Sequence, residues 1–314
     1  MLTLTFLGTS AARPTVERSV SSIALMREGE TLLFDCGEGT QRQMMKYGVS
    51  FALTEIFFTH YHADHFLGVI GLIRTLGLQG YTDTLRLYGP PGGKKILGKA
   101  VELGVDRAPF PIEINELEIG SKISRKEYDI EVLPADHGRG AAAYALREHT
   151  RLGRFDPDKA REMGIPEGPL WGRIHKGETV EIEVKQGDPS PRSGRRVVTP
   201  GELVGPTRKG RLVVISGDTR PSGVIVEAAT GADVLVHEAT FGDEEKDRAK
   251  ETGHSTAVEA AQVALAAGAK RLVLTHVSAR YSATTDVLLK EAREVFAETV
   301  VARDGLIVEV PFPE

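Results

Sequence analysis

The sequence predicts an α/β protein in which two mixed sheets pack face to face and helices cover their outer faces. Two observations support this fold class. Short apolar runs typical of strands alternate with segments of helical periodicity along most of the chain, and polar residues that can bind metal follow several predicted strands. The predicted strands lie near residues 2–7, 21–26, 31–35, 55–59, 84–88, 129–133, 141–147, 212–216, 233–237, 271–275 and 306–310, and the predicted helices near 38–47, 66–78, 92–103, 255–267 and 284–297.

Composition is that of an ordinary globular protein. The chain has 314 residues, 41% of them hydrophobic, which is enough for one large two-layered domain spanning 1–314. Its single cysteine, Cys36, excludes a disulfide within the chain and is expected to be a small buried hydrophobe. The N-terminus opens on a strand pattern rather than on a basic region followed by an apolar stretch. We therefore expect no export, no membrane span and a cytoplasmic location.

A dense group of potential metal ligands follows the strand predicted near 55–59. The group consists of His60, His62, Asp64 and His65. His60 and His62 share one face of the turn. Asp64 and His65 can point to a second position, and Asp64 is also placed to cap the helix that follows. Imidazole with carboxylate suits Zn²⁺, with Mn²⁺ or Fe as competitors. The alternative is a set of surface polar residues, which the further ligands along the chain disfavour.

Three more predicted strands end in residues that can bind metal. They are Asp136 and His137 after strand 129–133, Asp218 after strand 212–216, and His276 after strand 271–275. Because strand ends on one edge of an α/β sandwich converge, residues far apart in sequence can meet there. Together with the first group, they supply enough ligands for a dinuclear site.

The helix predicted at 255–267 fits the same layered pattern. Its apolar residues form a stripe that we assign to the core, and Gly268 provides a normal C-terminal cap. Both halves of the chain therefore combine strands that end in candidate ligands with helices that cover the sheets.

Six motifs occur in a fixed order along the chain. They are residues 6–10 (FLGTS) with 13–14 (RP), 34–41 (FDCGEGTQ), 60–65 (HYHADH), 237–241 (HEATF), 253–256 (GHST), and His276 with 278–281 (SARY). Together they resemble the metallo-β-lactamase superfamily and, within it, the short form of tRNase Z, a family of tRNA 3′-processing endonucleases. The resemblance runs from Met1 to about the C-terminus. It implies the αββα sandwich of that superfamily, with a protruding flexible arm.

The resemblance implies two zinc ions per subunit. One is held by His60, His62 and His137, the other by Asp64, His65 and His276, and Asp218 bridges them. Neutral imidazoles keep such ions Lewis acidic, and the bridging carboxylate offsets part of their mutual repulsion. Two metals about 3.5–4 Å apart can stabilise both the attacking and the leaving oxygen of an in-line phosphoryl displacement. Asp64 would also act as general base.

The leaving group, a ribose 3′-oxygen, needs a proton as its bond to phosphorus breaks. His254 is the predicted general acid, and Glu238 would hold its other ring nitrogen, fix the tautomer and raise the pKa of the imidazole. The resemblance gives this pair the same roles. Alternatively, Glu238 is only a satisfied strand-end carboxylate, and His254 caps the helix that begins near Ser255. His237 and Asp136 are expected to give local support only.

The stretch from about residue 148 to residue 210 departs from the strand and helix alternation. It lacks long apolar runs and gathers Gly, Pro and charge, so it is not expected to pack into the sandwich core. The resemblance implies an inserted exosite arm that grips the tRNA body, with Gly168 and Pro169 at its tip and 176–178 in its return. The alternative is a solvated loop of no function.

Charge supports the arm. From Arg147 to Arg211 there are 14 Lys and Arg against 10 Asp and Glu, an excess of four, whereas the whole chain has a net charge of −5. Contacts to the phosphate backbone position a substrate without reading its sequence. The predicted contacts are Arg151, Arg154, Arg173, Lys176, Arg192, Arg195 and Arg196.

The resemblance also implies a substrate and an assembly. Precursor tRNA would be recognised by shape, with its unpaired 3′ end threaded to the metals. Cleavage after the discriminator nucleotide would leave a 3′-hydroxyl on the tRNA and a 5′-phosphate on the trailer. The family works as a homodimer in which the arm of one subunit serves the active site of the other. Arg280, Ser10 and Thr40 are candidate phosphate contacts near the cut, although core packing, a helix cap or a tight turn explains them nearly as well.

Two other classes of function stay open on the sequence. A hydrolase of small esters, arylsulfatase-like or a phosphodiesterase, could share every metal ligand, but a basic appendage is of no use to it. A non-enzymatic RNA-binding protein would be expected to lack ligands, and none is missing here. RNA-cleaving relatives with an inserted second domain are disfavoured, because fewer than about sixty residues separate Asp218 from His276.

Overall fold

The computed structural model describes residues 1–105, 107–138, 140–183 and 195–313. The chain divides into two compact units, and the larger one, Met1–Arg147 with Arg211–Pro311, contains two seven-stranded sheets. The first sheet consists of β1 (Leu2–Gly8), β2 (Ser22–Arg27), β3 (Glu30–Phe34), β4 (Leu53–Phe57), β5 (Leu85–Gly89), β6 (Ile112–Glu116) and β16 (Ile307–Glu309), in the order β16-β1-β2-β3-β4-β5-β6. Strands β3 to β6 are parallel, so their carboxyl ends lie on one edge.

The second sheet is mixed in the same way. It consists of β7 (Lys122–Ser124), β8 (Tyr128–Pro134), β9 (Ala142–Glu148), β12 (Leu212–Ile215), β13 (Val234–Glu238), β14 (Leu272–Thr275) and β15 (Thr299–Val301), in the order β15-β14-β13-β12-β9-β8-β7. Strands β12 to β15 are parallel, whereas β9 runs antiparallel to β12. The loops after three successive parallel strands therefore leave the same edge of this sheet.

Among the described residues, the larger unit also contains eight α-helices. They are α1 (Thr40–Tyr47), α2 (Ala63–Phe66), α3 (Gly68–Leu78), α4 (Gly93–Glu102), α8 (Gly223–Ala228), α9 (Lys246–Thr252), α10 (Ala257–Ala267) and α11 (Asp286–Val295). Helix α10 begins with a capping box formed by Thr256 and Glu259 and ends at Gly268 in the left-handed conformation, as the sequence predicts for its C-terminus. Among the described residues, no helix is both long and apolar enough to cross a membrane.

Aromatic side chains of both sheets pack against one another below the edge where the candidate metal ligands follow the strands. Phe34 and Phe57 stack with ring centroids 5.3 Å apart, and Tyr88 stacks on Phe57 at 4.9 Å. Tyr144, from the second sheet, lies 5.6 Å from both phenylalanines, and its hydroxyl donates to the Phe58 carbonyl at 2.7 Å. Burying side chains of this size contributes roughly 1.5–3 kcal/mol each. The ends of β3 and β4 are thereby fixed where the ligand loops begin.

The smaller unit comprises Glu148–Gly210 and Phe312–Glu314. Its elements are α5 (Pro157–Glu162), α6 (Pro169–His175), β10 (Val180–Glu183), β11 (Arg195–Val198) and α7 (Pro200–Leu203). Its first and last segments run antiparallel, with Arg151 and Arg208 exchanging two backbone hydrogen bonds of 2.8 and 2.9 Å. It has a core of its own, made of Ala160, Ile165, Ile174, Val180, Ile182, Val198 and Leu203.

The layers agree with the predicted sandwich, but the helix predicted at 66–78 is interrupted. Two helices, α2 and α3, replace it, because the chain must pass very close to the loop after β3. A Cβ atom at Gly68 would overlap the Gly37 carbonyl, and the Gly68 amide donates to the Cys36 carbonyl at 2.9 Å. The sequence also missed the short strands β6, β7 and β15, which have no long apolar run.

Candidate metal centre and active site

The structure brings all seven predicted ligands together. They are His60, His62, Asp64 and His65 after β4, His137 after β8, Asp218 after β12 and His276 after β14. The ligand atoms form two groups, and within each of them all atoms lie within 4.8 Å of one another: His60, His62, His137 and Asp218 make up the first, and Asp64, His65 and His276 the second. Loops from both sheets of the larger unit therefore contribute to one cluster.

Donor atoms of the first group surround a common point. The Nδ1 of His62 lies 3.0 Å from the Nε2 of His60 and 3.2 Å from the Nε2 of His137. The Oδ2 of Asp218 lies 3.6 Å from His60 Nε2 and 3.8 Å from His137 Nε2. Two ligands on a tetrahedral ion with bonds of about 2.0–2.1 Å are themselves roughly 3.3 Å apart. The spacing therefore suits a single ion.

The second group has the same spacing. The Nε2 atoms of His65 and His276 lie 3.3 Å apart, and Asp64 Oδ2 lies 3.3 Å from His276 Nε2 and 3.5 Å from His65 Nε2. Asp218 Oδ2 is 3.3 Å from both imidazoles of this group. The same carboxylate oxygen also faces His60 and His137, so it lies near the imidazoles of both groups.

Hydrogen bonds on the outer side of the cluster fix the imidazole tautomers. The four contacts at Nδ1 are His60 to Thr59 Oγ1 (3.0 Å), His65 to Asp35 Oδ2 (2.8 Å), His137 to the Gly253 carbonyl (2.8 Å) and His276 to Thr240 Oγ1 (2.9 Å). The two threonine hydroxyls donate to Asp35 and Glu238, so they accept from the imidazoles. Each Nδ1 therefore carries a proton, so Nε2 is the ring atom that faces the cluster and can bind a metal, as in metal-bound histidines.

The charge states also suit a divalent cation. Burial and the neighbouring histidines lower the pKa of His60 to about 2, so its imidazole is neutral. Burial opposes ionisation of Asp64, but hydrogen bonds with His276 and His65 outweigh it and lower the pKa of the carboxyl. Burial disfavours the charged form of His65, but Asp218 and Asp35 outweigh it and raise the pKa of this ring, which therefore has to release its Nε2 proton when a metal binds. With that proton released, imidazoles and ionised carboxylates aimed at a common centre are the donor set of zinc and related metals. The residues present therefore fit a metal centre.

Asp64 does not cap a helix, and that prediction is wrong. His62 is the N-cap of α2 and makes no side-chain cap, while Asp64 lies in the first turn. Its Oδ2 accepts the backbone N–H of Ala12 at 2.7 Å. Ala12 has a φ of 60°, in the left-handed region that non-glycine residues seldom occupy. The loop after β1 therefore holds the Asp64 carboxylate in place, and no pattern in the sequence indicates this contact.

His254 and Glu238 form the pair that the sequence predicts. The Nδ1 of His254 lies 2.8 Å from Glu238 Oε1, and Glu238 also accepts the backbone N–H groups of Thr219 and Thr240, each at 3.1 Å. Burial disfavours the imidazolium, but the Glu238 carboxylate outweighs it and raises the pKa of His254 to about 9. The cap of α10 is Thr256 rather than His254. The histidine is thus a charged donor beside the cluster, not a helix cap.

Arg220 joins the loop of Asp218 to the loop of His254. Its guanidinium binds the Glu259 carboxylate through both terminal nitrogens, one at 2.7 Å, and also donates to the His254 carbonyl. The Ser255 hydroxyl donates to the Thr219 carbonyl at 2.6 Å. The capping-box pattern at 256–259 could have revealed Glu259 as a fixed carboxylate, but its arginine partner lies 39 residues away. His237 has no comparable role: its Nδ1 lies 2.8 Å from the Glu238 carbonyl.

A pocket of about 300 Å³ opens beside the cluster. Its lining includes Arg13, His62, Asp64, Asp218, Phe241, Arg248, His254, His276 and Arg280. Ser10 and Thr40, which were candidate phosphate contacts, do not line it. Both are buried, and their hydroxyls donate to the Arg13 and Gly37 carbonyls at 2.7 Å. The structure therefore assigns these two residues to loop packing and keeps Arg280 as a candidate contact.

Several predicted phosphate contacts of the smaller unit already have partners within it. Arg173 pairs with Glu178 at 2.7 Å, Arg196 pairs with Glu202 at 3.0 Å, and Arg195 lies 3.8 Å from Glu181. The Arg151 guanidinium lies 3.3 Å from the centroid of the Phe312 ring, which ties it to the packing of the unit. Arg154 and Lys176 are exposed, Gly168 is the N-cap of α6 and Pro169 its first residue, whereas Arg192 lies outside the described residues.

A two-sheet sandwich whose strand ends meet in a His and Asp cluster defines the class of metallo-β-lactamase-fold metalloproteins. Two family models match parts of the chain: "Beta-lactamase superfamily domain" over residues 170–277 and "Anti-Pycsar protein Apyc1" over residues 2–99. Ribonuclease Z of Gemmatimonas aurantiaca is 56% identical across 100% of this chain and 97% of its own length. Ribonuclease Z of Myxococcus xanthus is 51% identical across 99% and 98%. The chain therefore belongs to the ribonuclease Z family.

A solved structure supports the same assignment. The crystal structure of the short form of human tRNase Z aligns with a TM-score of 0.69 and 28% identity, covering 99% of this chain and 100% of that one. The family resemblance and the sandwich fold that the sequence motifs predict are thus confirmed.

Proposed function

We propose that this protein is a metal-dependent endoribonuclease that removes the 3′ trailer from precursor tRNA. The observation that carries the proposal is full-length similarity to ribonuclease Z proteins in a chain that retains all seven candidate ligands and the Glu238–His254 pair. The cut falls after the discriminator nucleotide and leaves a 3′-hydroxyl on the tRNA and a 5′-phosphate on the trailer. A small-ester hydrolase would share the ligands but not this similarity.

The resident metal is zinc, with two ions in each subunit. His60, His62 and His137 would hold one, Asp64, His65 and His276 would hold the other, and Asp218 would contribute to both. The nitrogen-rich donor sets and their spacing support this assignment. When bound, the ions supply Lewis-acid stabilisation of the charge that builds up on the phosphate and its oxygens during in-line displacement.

The side chains of the site move and hold protons. Asp64, oriented by the Ala12 amide, acts as general base for the attacking water. His254 donates a proton from Nε2 to the departing 3′-oxygen, because Glu238 engages its Nδ1 and keeps the ring charged. Arg280, which lines the pocket and is partly exposed, binds phosphate.

The unit Glu148–Gly210 acts as the exosite arm that binds the tRNA body. Its separate core supports this role, and so does its charge: Glu148–Gly210 contains 12 Lys and Arg against 10 Asp and Glu, whereas the whole chain has a net charge of −5. The exposed Arg154 and Lys176 are the simplest contacts, because the arginines 173, 195 and 196 first have to leave their carboxylate partners. The enzyme acts as a homodimer in the cytoplasm, with the arm of one subunit serving the site of the other.

Mapping the product ends of one reaction tests the proposal. Purified protein of known metal content is incubated with a 3′-extended precursor tRNA that lacks CCA, and Asp64→Ala serves as control. We expect a single metal-dependent cut just after the discriminator nucleotide, absent from the control. No cut in a protein that holds its metals and hydrolyses bis(p-nitrophenyl) phosphate would replace the proposal by a small-ester hydrolase.

A further inference from the structure

Two arginines flank one phenylalanine on the wall of the 300 Å³ pocket. Phe241 is nearly buried, with 5% of its surface exposed. The Cζ atom of Arg248 lies 5.8 Å from the centroid of the Phe241 ring, and that of Arg280 lies 6.0 Å from it. Guanidinium groups are favourable at such distances from an aromatic ring. Two positive charges from separate segments of the chain therefore lie close to the Phe241 ring.

The two guanidiniums are not neutralised to the same extent. Arg280 pairs with Glu245, whose carboxylate also accepts the Tyr281 hydroxyl at 3.0 Å. Arg248 forms no ion pair with any Asp or Glu of the described chain, and it is exposed. Like charges close together repel each other, so this arrangement favours an anion between or beside them. Arginine suits phosphate in particular because its planar fork can donate two parallel hydrogen bonds.

The position of Arg248 and Arg280 indicates which phosphate of an RNA substrate they can bind. Arg248 lies on α9, six residues before His254, and Arg280 follows the candidate ligand His276 by four residues. The same pocket is lined on its other side by Asp64 and Asp218. One continuous space thus connects the metal cluster with the arginines. A strand with its scissile phosphate at the cluster would bring a neighbouring phosphate to them.

We propose that Arg248, together with Arg280 and braced by Phe241, binds the phosphate adjacent to the scissile one in the 3′ region of the substrate. The inference rests on the proposed function, because it requires an RNA substrate with consecutive phosphates. It adds a subsite that holds the strand in line without touching the reacting atoms. Arg248 is therefore a positioning residue.

Equilibrium binding and steady-state cleavage of a 3′-extended precursor tRNA test the subsite. Arg248→Ala should raise both Kd and KM by about tenfold, the usual effect of losing one hydrogen bond to a charged group. Its slope of log affinity against log salt should be smaller by about 0.7, the value for one contact to a single strand. Lys250→Ala is the matched control, since Lys250 lies exposed on the same helix and does not line the pocket. Arg248→Lys keeps the positive charge but cannot donate two parallel hydrogen bonds. Its Kd and KM should therefore lie between those of Arg248→Ala and Lys250→Ala.

Neutral linkages identify the phosphate. Two precursors are prepared, each with a single methylphosphonate. One carries it at the linkage before the scissile phosphate, and the other at the linkage after it. The wild-type protein should bind one of the two modified precursors more weakly than the unmodified precursor. For that modified precursor, Arg248→Ala should cause no further loss of affinity. If Arg248→Ala binds and cleaves the unmodified precursor as Lys250→Ala does, the subsite does not exist. The same conclusion follows if the loss of affinity caused by Arg248→Ala adds fully to the loss caused by the neutral linkage in both modified precursors. If the wild-type protein itself fails to cut the unmodified precursor, the proposed function fails instead.

Discussion

Glu238 controls the pH range in which His254 can act as an acid, and its substitution by glutamine gives a quantitative prediction. In the wild-type protein the carboxylate raises the pKa of His254 from the ordinary 6.5 to about 9, although burial works in the opposite direction. Only 15% of the His254 side chain is exposed, so solvent screens the pair weakly. In Glu238→Gln the charge is lost and burial remains. The pKa of His254 should therefore fall to 6.5 or below.

The size of the effect follows from the fraction of protonated His254. At pH 8 this fraction is about 90% for a pKa of 9 and about 3% for a pKa of 6.5, so cleavage should slow roughly 30-fold. At pH 6 the fractions are nearly 100% and about 75%, so the rates should almost agree. An acid is active below its pKa, and a lower pKa moves the alkaline fall in rate to lower pH. A bound metal cation would lower the pKa of His254 in both proteins. The prediction therefore concerns the separation between the pH-rate curves of the wild type and of Glu238→Gln, not the absolute pKa values.

Single-turnover cleavage of precursor tRNA between pH 5.5 and 9.5 measures the separation, with the metal content checked at each pH. This range runs from about 3.5 units below to about half a unit above the expected wild-type pKa. Glu259→Gln is the matched control, because it alters another buried carboxylate that binds Arg220 and does not touch the His254 ring. This control should lower the rate without moving the alkaline limb. A Glu238→Gln curve that is parallel to the wild-type curve would refute the proposed role of Glu238 in charging His254.

Three further changes test other parts of the site. Asp218→Ala should abolish cleavage and lower the metal content measured by mass spectrometry, and full activity would contradict the bridging role. Ala12→Pro removes the N–H that holds Asp64 and cannot adopt its φ of 60°, so kcat should fall by about tenfold or more, whereas Ala12→Gly should retain it. Replacing 155–204 by a short turn is feasible because the Gly205 amide donates to the Arg154 carbonyl at 2.9 Å. KM for precursor tRNA should rise far more than KM for bis(p-nitrophenyl) phosphate, and an equal loss on both would make the unit a structural one.

The metal cluster could be predicted from sequence because each ligand has a short-range signal. An apolar strand precedes His60, His137, Asp218 and His276 in turn, and parallel strands deliver their ends to one edge. The groups that orient these ligands have no such signal. Thr240 contacts His276 across 36 positions, and Asp35 contacts His65 across 30. Which threonine or aspartate meets which imidazole depends on how the sheets pack, and no periodicity in the sequence records that.

The smaller unit shows the opposite limit of sequence reasoning. A segment at about 148–210 stands out in the sequence because it breaks the strand and helix alternation, yet no pattern there predicts a core of its own. Its core takes one residue each from α5, α6, β11, α7 and the turn after α5, and only two from β10, so no window contains a long apolar run. Ile165, for example, follows Gly164 in a turn and is only 2% exposed. A core assembled from isolated side chains is visible only when the segment is folded.

The acid side of the site depends on a single carboxylate that does two tasks at once. Glu238 accepts N–H groups from Thr219 and Thr240, and thereby ties together the loops that carry Asp218 and follow β13. The same carboxylate holds His254 and sets its proton affinity. Position and pKa of the acid are therefore coupled, because a change that moves the carboxylate also changes the charge of the imidazole. Glutamine preserves the size of the side chain but keeps only one accepting oxygen, so a fall in rate common to all pH values would report the structural task. A shift of the alkaline limb would report the electrostatic one.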